Sequence, residues 1–255
     1  MKILYIPTFN KVTDIDLYFK DSDTLLEQDP DVILVSGGDG SLLHAIQNYK
    51  FLEKPFLGVA AGTKNFLLNK ITLEEIKSLE NMDLSEFERT YEFEKVSALK
   101  VIVNRKCSNG CNNIVFRSEV INDIVLGGSI MDYNVFNVKN YSEENIKGMG
   151  LLISTPLGST AFNINNGGKV IKHLDSSKVS FATIVADLNF EKIIPYDSIG
   201  DIVIKSERST CSLFIDGTTK IFNLKYGDII SVSKSNSTVI GIKNKEAFRE
   251  KRLNH

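Results

Sequence analysis

Val32-Ile33-Leu34-Val35-Ser36-Gly37-Gly38-Asp39-Gly40-Ser41-Leu42-Leu43-His44-Ala45-Ile46 decides how this chain is read. Its first four residues are apolar without alternation, the pattern of a parallel strand covered on both faces. Leu42, Leu43, Ala45, Ile46 and Tyr49 then recur at helical spacing, which predicts a buried helix face. Between the two, Gly37, Gly38 and Gly40 allow a sharp turn and let a ligand approach the backbone closely. Free N–H groups and the dipole at the start of the new helix favour an anion there, so Gly37 and Gly38 are candidate phosphate-binding residues. A carboxylate in a phosphate cradle repels the ligand unless it has a task. Asp39 can hold a metal beside the phosphates, or take a proton from a hydroxyl about to attack one. The stretch points to phosphoryl transfer.

A chain of 255 residues fits two modest domains better than one core. An apolar content of 42% and a charged content of 24% describe an ordinary globular protein. The net charge of -2 supplies no overall electrostatic reason to bind nucleic acid or an acidic membrane surface, so neither is expected as a partner. Met1-Lys2-Ile3-Leu4-Tyr5-Ile6-Pro7 reads as the start of a strand rather than a signal peptide, and no stretch has the length of a membrane span. The expectation is therefore a cytoplasmic protein. Three cysteines argue against a disulfide framework. Cys107 and Cys111 flank the turn sequence Ser108-Asn109-Gly110 and can face each other across two strands, as reduced turn cysteines or, with further ligands, as part of a metal site.

Residues 2–7, 32–36 and 56–60 are short apolar strand candidates, with helical patterns near 14–28, 41–50 and 73–81. This alternation predicts a parallel sheet covered by helices. From about Glu92 the texture changes. Strand-like segments at 96–103, 113–126, 131–138, 147–154, 179–185, 201–205, 211–215 and 229–240 are separated by turn signals such as Asn109-Gly110, Gly127-Gly128 and Asp216-Gly217. The expected organisation is an α/β domain over 1–93 and a mostly antiparallel β domain over 94–241. The charged tail, 242–255, is expected to pack back on the first domain.

Three further segments carry chemistry. Gly58-Val59-Ala60-Ala61-Gly62-Thr63-Lys64-Asn65-Phe66-Leu67 suits a second loop at the carboxyl edge of the same sheet, where open α/β sheets bind ligands. Gly62 and Thr63 join the phosphate-binding candidates; a plain strand-to-helix turn is the competing reading. Asn122-Asp123 interrupts Glu119-Val120-Ile121-Asn122-Asp123-Ile124-Val125-Leu126, and burying an amide and a carboxylate there is costly unless both find partners. Successive strand residues face opposite sides, so one ligand meets both only at a bulge, bend or strand end. An acceptor carboxylate beside an amide suits a pair of sugar hydroxyls, and satisfaction by neighbouring backbone is the alternative. Ser154-Thr155-Pro156-Leu157-Gly158-Ser159-Thr160-Ala161-Phe162-Asn163 follows a strand and opens a short helix whose free N–H groups can receive phosphate or the edge of a base. Asp216-Gly217 reads as a hairpin turn.

With these segments in this order, the chain resembles the NAD kinases, the ATP- or polyphosphate-dependent family. The match rests on Gly37-Gly38-Asp39-Gly40-Ser41-Leu42-Leu43-His44-Ala45, Gly58 to Leu67, Asn122-Asp123, and Ser154-Thr155-Pro156 through Asn163. The resemblance implies a two-domain NAD kinase-like fold and transfer of a phosphoryl group from ATP or polyphosphate to the 2'-hydroxyl of the adenosine ribose in NAD. It implies that Asp39 activates that hydroxyl or holds Mg²⁺ (or another divalent cation), that Gly40 lines the substrate, and that Asn122 and Asp123 hold the ribose. Thr160, Ala161 and Phe162 then line the adenine site, with Phe66 and Leu67 on its other wall and Asn165 at a further contact position. NAD and a nucleotide triphosphate are the implied partners, and a homodimer or homotetramer the implied assembly. The chain departs from the family pattern at Asp123 (usually Glu), Phe162 (usually Tyr), Asn65 (usually Gly), and Met149, where an acidic residue usually stands. Two other classes compete: a catalytically weak NAD- or NADP-binding protein, and a kinase of a lipid or sugar hydroxyl.

Overall fold

The computed structural model describes residues 1–7, 14–15, 29–61, 65–128, 133–140, 144–207, 210–217 and 220–253. Most of the helix expected over 14–28, and the candidates Gly62 and Thr63, lie outside the described residues. The chain forms two units, Met1–Val96 with Thr238–His255, and Ser97–Ser237.

In the first unit, β1 (Ile3–Ile6), β2 (Val32–Gly37) and β3 (Phe56–Ala60) pair in parallel, in that order. Ile240 and Gly241, near the end of the last strand of the chain, pair in parallel with Phe56 and Leu57. Every residue of β2 is buried, as its unbroken apolar run requires. Helix α1 (Asp39–Tyr49) buries Leu42, Leu43, Ala45 and Ile46. It starts two residues before the helical pattern expected over 41–50. Gly37 sits at φ 142°, a conformation that favours glycine, and the Gly38 carbonyl accepts the Ser41 N–H at 2.9 Å. Helix α2 (Leu73–Asn81) is capped reciprocally by Thr72 and Glu75, each side chain accepting from the other's backbone N–H at 3.3 and 2.8 Å. Helix α3 (Leu84–Thr90), capped by Asp83, has only Phe87 fully buried, so its apolar face is too thin to read from sequence.

The second unit is antiparallel. Strands β4 (Glu92–Lys106) and β5 (Asn112–Val120) form a hairpin. The hairpin closes with the Cys107 N–H on the Cys111 carbonyl at 2.9 Å, and the two sulfurs lie 3.0 Å apart as free thiols. Then come β6 (Asp123–Gly127), β7 (Asn134–Val138) and β8 (Ile146–Ser154). Strand β8 pairs with β7 at its start and with both β6 and β9 (Lys178–Ala186) along its length. Strand β10 (Glu191–Pro195) pairs with β9, β11 (Asp201–Ile204) with β7, and β12 (Ser212–Ile215) with β6. Strand β13 (Lys220–Asn223) returns along β12, and β14 (Ile229–Ile242) pairs with β11. The core includes Leu126, Phe136, Leu151, Phe181, Ile202 and Leu213. Strand β10 and strand β13 are four or five residues of mixed polarity, which is why neither stands out in the sequence. The chain ends in helix α4 (Lys245–Leu253), part of the first unit.

One buried amide fixes the segment after β3. Asn69 Nδ2 donates to the Gly58 and Gly241 carbonyls at 3.0 and 2.9 Å, while its Oδ1 accepts the Lys243 N–H at 2.8 Å. Asn69→Ala leaves the Gly58 carbonyl with the main-chain N–H of residue 69 at 2.8 Å but takes the side-chain partner from the Gly241 carbonyl and the Lys243 N–H, so thermal unfolding should show a loss on the order of 2 kcal/mol. A loss below about 0.5 kcal/mol, the scale of an ordinary surface change, would contradict this reading.

Candidate functional site

Asp39 is the first residue of α1, where a negative charge suits the helix dipole. Its Oδ1 accepts the Phe66 and Leu67 N–H groups at 3.0 and 2.8 Å, and its Oδ2 accepts the Phe66 N–H at 2.9 Å. The carboxylate therefore ties the glycine-rich turn to the segment after β3, bringing Gly37, Gly38, Asp39, Gly40, Phe66 and Leu67 to one place. A side-chain carbon on Gly38 would stand 3.9 Å from the Asn65 amide oxygen, whereas one on Gly40 would meet nothing within 4 Å. The Gly40 side is open, and the Phe66 ring is 39% exposed. Gly58 has a packing role instead: a Cβ there would overlap the Leu68 side chain at 2.2 Å. A cavity of about 650 Å³ borders the same segment, lined by Phe66, Leu67, Asn69, Ile242, Lys243 and Phe248 among others.

In the second unit the strand predicted over 113–126 is broken at Ile121-Asn122, giving β5 and β6. The break brings two successive side chains together, with Asn122 Nδ2 at 3.4 Å from Asp123 Oδ2. The cause is Asp216. Its buried carboxylate accepts the N–H groups of Ile121, Asn122 and Asp123 at 3.1, 2.6 and 3.2 Å. On the carbonyl side, the Thr155 hydroxyl donates to Ile121 O at 2.6 Å and the Thr155 N–H donates to Asn122 O at 2.9 Å. The Asp216 N–H donates to Asp123 O at 3.0 Å. Every main-chain polar group of the bend is thus bonded, as burial demands.

Asp216-Gly217 does turn between β12 and β13, as its sequence suggests, but the acid is also this clamp. Thr155 and Gly158 have clamp roles that sequence reading did not assign. A Cβ on Gly158 would stand 1.9 Å from Asn122 O, so only glycine fits beneath the bend. Asp123 itself is buried, and burial together with the Asp216 charge pushes its carboxyl up to about 6; the Gly217 N–H at 3.4 Å opposes this.

After β8 the chain makes a single tight turn, Gly158–Thr160, and then a four-residue helix, Phe162–Asn165. Thr160 Oγ1 donates to Leu157 O at 3.1 Å, while Ala161, Phe162 and Asn165 are exposed, Phe162 at 45%. The turn rests on buried Asn163, whose Nδ2 donates to the Ser159 and Lys169 carbonyls and whose Oδ1 accepts the Ser180 hydroxyl. Met149 is half-buried on β8, and its carbonyl accepts from Asn134 Nδ2. Among the described residues no three or more His, Cys, Asp or Glu side chains are grouped to hold a metal, and no helix is long and apolar enough to cross a membrane.

Residues 117–243 match the family model for the ATP-NAD kinase C-terminal domain. An NAD kinase of Rickettsia bellii is 29% identical over 147 residues, which is 56% of this chain and 52% of that protein, so the chain spans about half of that relative. In fold, the chain is similar to the yeast NADH kinase solved with NADH, with TM-score 0.77 and 17% identity over 99% of this chain and 86% of that one. It is also similar to the Archaeoglobus fulgidus NAD kinase solved with ATP, with TM-score 0.67 and 19% identity over the full length of both. The chain belongs to the NAD kinase family.

The buried Asp123 carries a pH signature. Its folded value lies above the ordinary carboxylate value of 3.8, so the folded chain holds a proton that the unfolded chain releases. Its contribution is favourable at low pH and is lost as pH rises from about 4 through 6, by on the order of 3 kcal/mol. Asp123→Asn should remove that slope when unfolding free energies at pH 4 and pH 7 are compared. An identical slope in both proteins would contradict the assignment.

Proposed function

We propose that this chain phosphorylates NAD at the 2'-hydroxyl of the adenosine ribose, making NADP with ATP or polyphosphate as donor. Family membership supports the reaction class. The single observation that carries it is the Asp39 carboxylate, held by the Phe66 and Leu67 amides at the start of a helix with open space over Gly40. The NADH bound to the yeast relative supports a dinucleotide acceptor, and the ATP bound to the archaeal one supports a nucleotide donor.

In this reading the backbone N–H groups around Gly37 and Gly38, with Gly62 and Thr63, receive phosphate, and Gly40 lines the substrate. Asp39 acts at the 2'-hydroxyl, as its base or as the ligand of Mg²⁺ beside it. A single carboxylate suits Mg²⁺, which is commonly held by one or two carboxylates plus substrate phosphates, and the ion supplies neutralisation of phosphate charge. Asn122 and Asp123 hold the ribose hydroxyls. The exposed ring of Phe66 in the first unit and that of Phe162 in the second each offer a stacking surface for adenine, with Leu67, Thr160, Ala161 and Asn165 as further contact residues in this reading. The chain's own work is alignment and electrostatics, since phosphoryl transfer asks little covalent chemistry of a protein. Cytoplasmic location and a homodimer or homotetramer complete the reading. A second reading, an NAD- or NADP-binding protein with weak turnover, is favoured by Met149 in place of an acid and by the burial of Asp123.

The test is an assay of the purified chain with NAD, Mg²⁺ and either ATP or polyphosphate, reading NADP enzymatically. Asp39→Asn should lower turnover by about 10²- to 10⁴-fold, the range of a lost acid–base group. Full activity in Asp39→Asn would refute the assigned role. NAD binding without turnover by any donor would select the second reading.

A further inference from the structure

The bend at Ile121–Asp123 is assembled from distant parts of the chain, and its central member has no role in the reading above. Asp216 lies 95 residues beyond Ile121, at the turn after β12, with φ +47° and 4% exposure. Its Oδ1 gathers the N–H groups of Ile121, Asn122 and Asp123 at 3.2, 2.6 and 3.2 Å, and its Oδ2 takes a second contact from Ile121 at 3.1 Å. Three successive amides cannot all point to one atom in an extended strand, where they alternate in direction. The carboxylate therefore imposes the bend.

The bend has a chemical consequence. In an unbroken strand the Asn122 and Asp123 side chains would leave opposite faces; here they lie 3.4 Å apart. An amide donor and a carboxylate acceptor side by side match two neighbouring hydroxyls of a sugar. We propose that Asp216 is a positioning residue for acceptor recognition, fixing the bend that presents Asn122 and Asp123 together to the ribose hydroxyls of NAD. This rests on the NAD reading proposed above. An acid suits 216 because the main-chain groups of the bend that meet its side chain are all N–H donors. An amide in its place either turns an NH₂ group toward the Ile121 N–H or gives up Oδ2 as an acceptor, and a buried donor facing a donor is costly.

Calorimetric titration of the wild type and of Asp216→Asn, each with NAD and with an NAD analogue lacking both adenosine ribose hydroxyls, separates positioning from support. Wild type should bind NAD about tenfold or more tightly than the analogue, the scale of one or two hydrogen bonds to a charged group. Asp216→Asn should lose most of that ratio while its affinity for the analogue stays within about twofold, at a temperature where melting curves show it folded. If Asp216→Asn does not fold, Asp216→Glu keeps the charge but displaces the carboxylate by roughly 1.5 Å, and the same loss of ratio is expected. An unchanged ratio, or equal weakening for both ligands as a purely supporting role would give, overturns this inference and leaves the NAD reading standing. Failure of the wild type to bind NAD at all overturns both.

Discussion

Two backbone amides on one carboxylate organise the first unit. The Phe66 and Leu67 N–H groups on Asp39, together with the Ala61 N–H on the Gly37 carbonyl at 2.9 Å, join the glycine-rich turn to the segment after β3. Joined in this way, turn and segment form one surface at the carboxyl ends of β2 and β3, the position at which open parallel sheets receive ligands. The same bonds hold the carboxylate in place while leaving the Gly40 side open. A group that must reach a reacting oxygen needs both properties, since small misplacements are costly in phosphoryl transfer.

The second unit solves a different problem by similar means. A strand interruption exposes main-chain donors and acceptors inside a β core, which is destabilising unless each is matched. Asp216 supplies acceptors, Thr155 supplies donors, and Gly158 supplies the room. The raised value of Asp123 follows from the same crowding, because burial disfavours its charged form and the Asp216 carboxylate beside it adds to that. Polar residues in this core are thus local necessities of the bend, and the bend is what brings Asn122 and Asp123 side by side.

The fold class was legible because burial leaves a plain trace: β2 and β3 are unbroken apolar runs, and α1 repeats its apolar residues every three or four positions. The antiparallel unit was legible from alternating segments and turn residues. Elements with little buried surface left no trace, as α3, β10 and β13 show. The sequence also marked Asn122-Asp123 as a costly polar pair inside an apolar strand, although 113–126 read as one strand and the break at Ile121-Asn122 was not expected. It did not reveal the partner. Asp216-Gly217 has the composition of any hairpin turn, and nothing local links it to residues more than ninety positions earlier. Gly158 sat in a segment read as opening a short helix, while its contact with Asn122 O is a property of packing alone. Long-range clamps of this kind become visible only once strands are paired.

The most direct measurement is a crystal structure of the chain with NAD and Mg²⁺. A carboxylate oxygen of Asp39 is expected about 2.6–3.2 Å from the 2'-oxygen of the adenosine ribose, or linked to it through a single bridging water or Mg²⁺ at a correspondingly longer distance. A bound dinucleotide whose 2'-oxygen faces another group, with Asp39 many ångströms away, would contradict it.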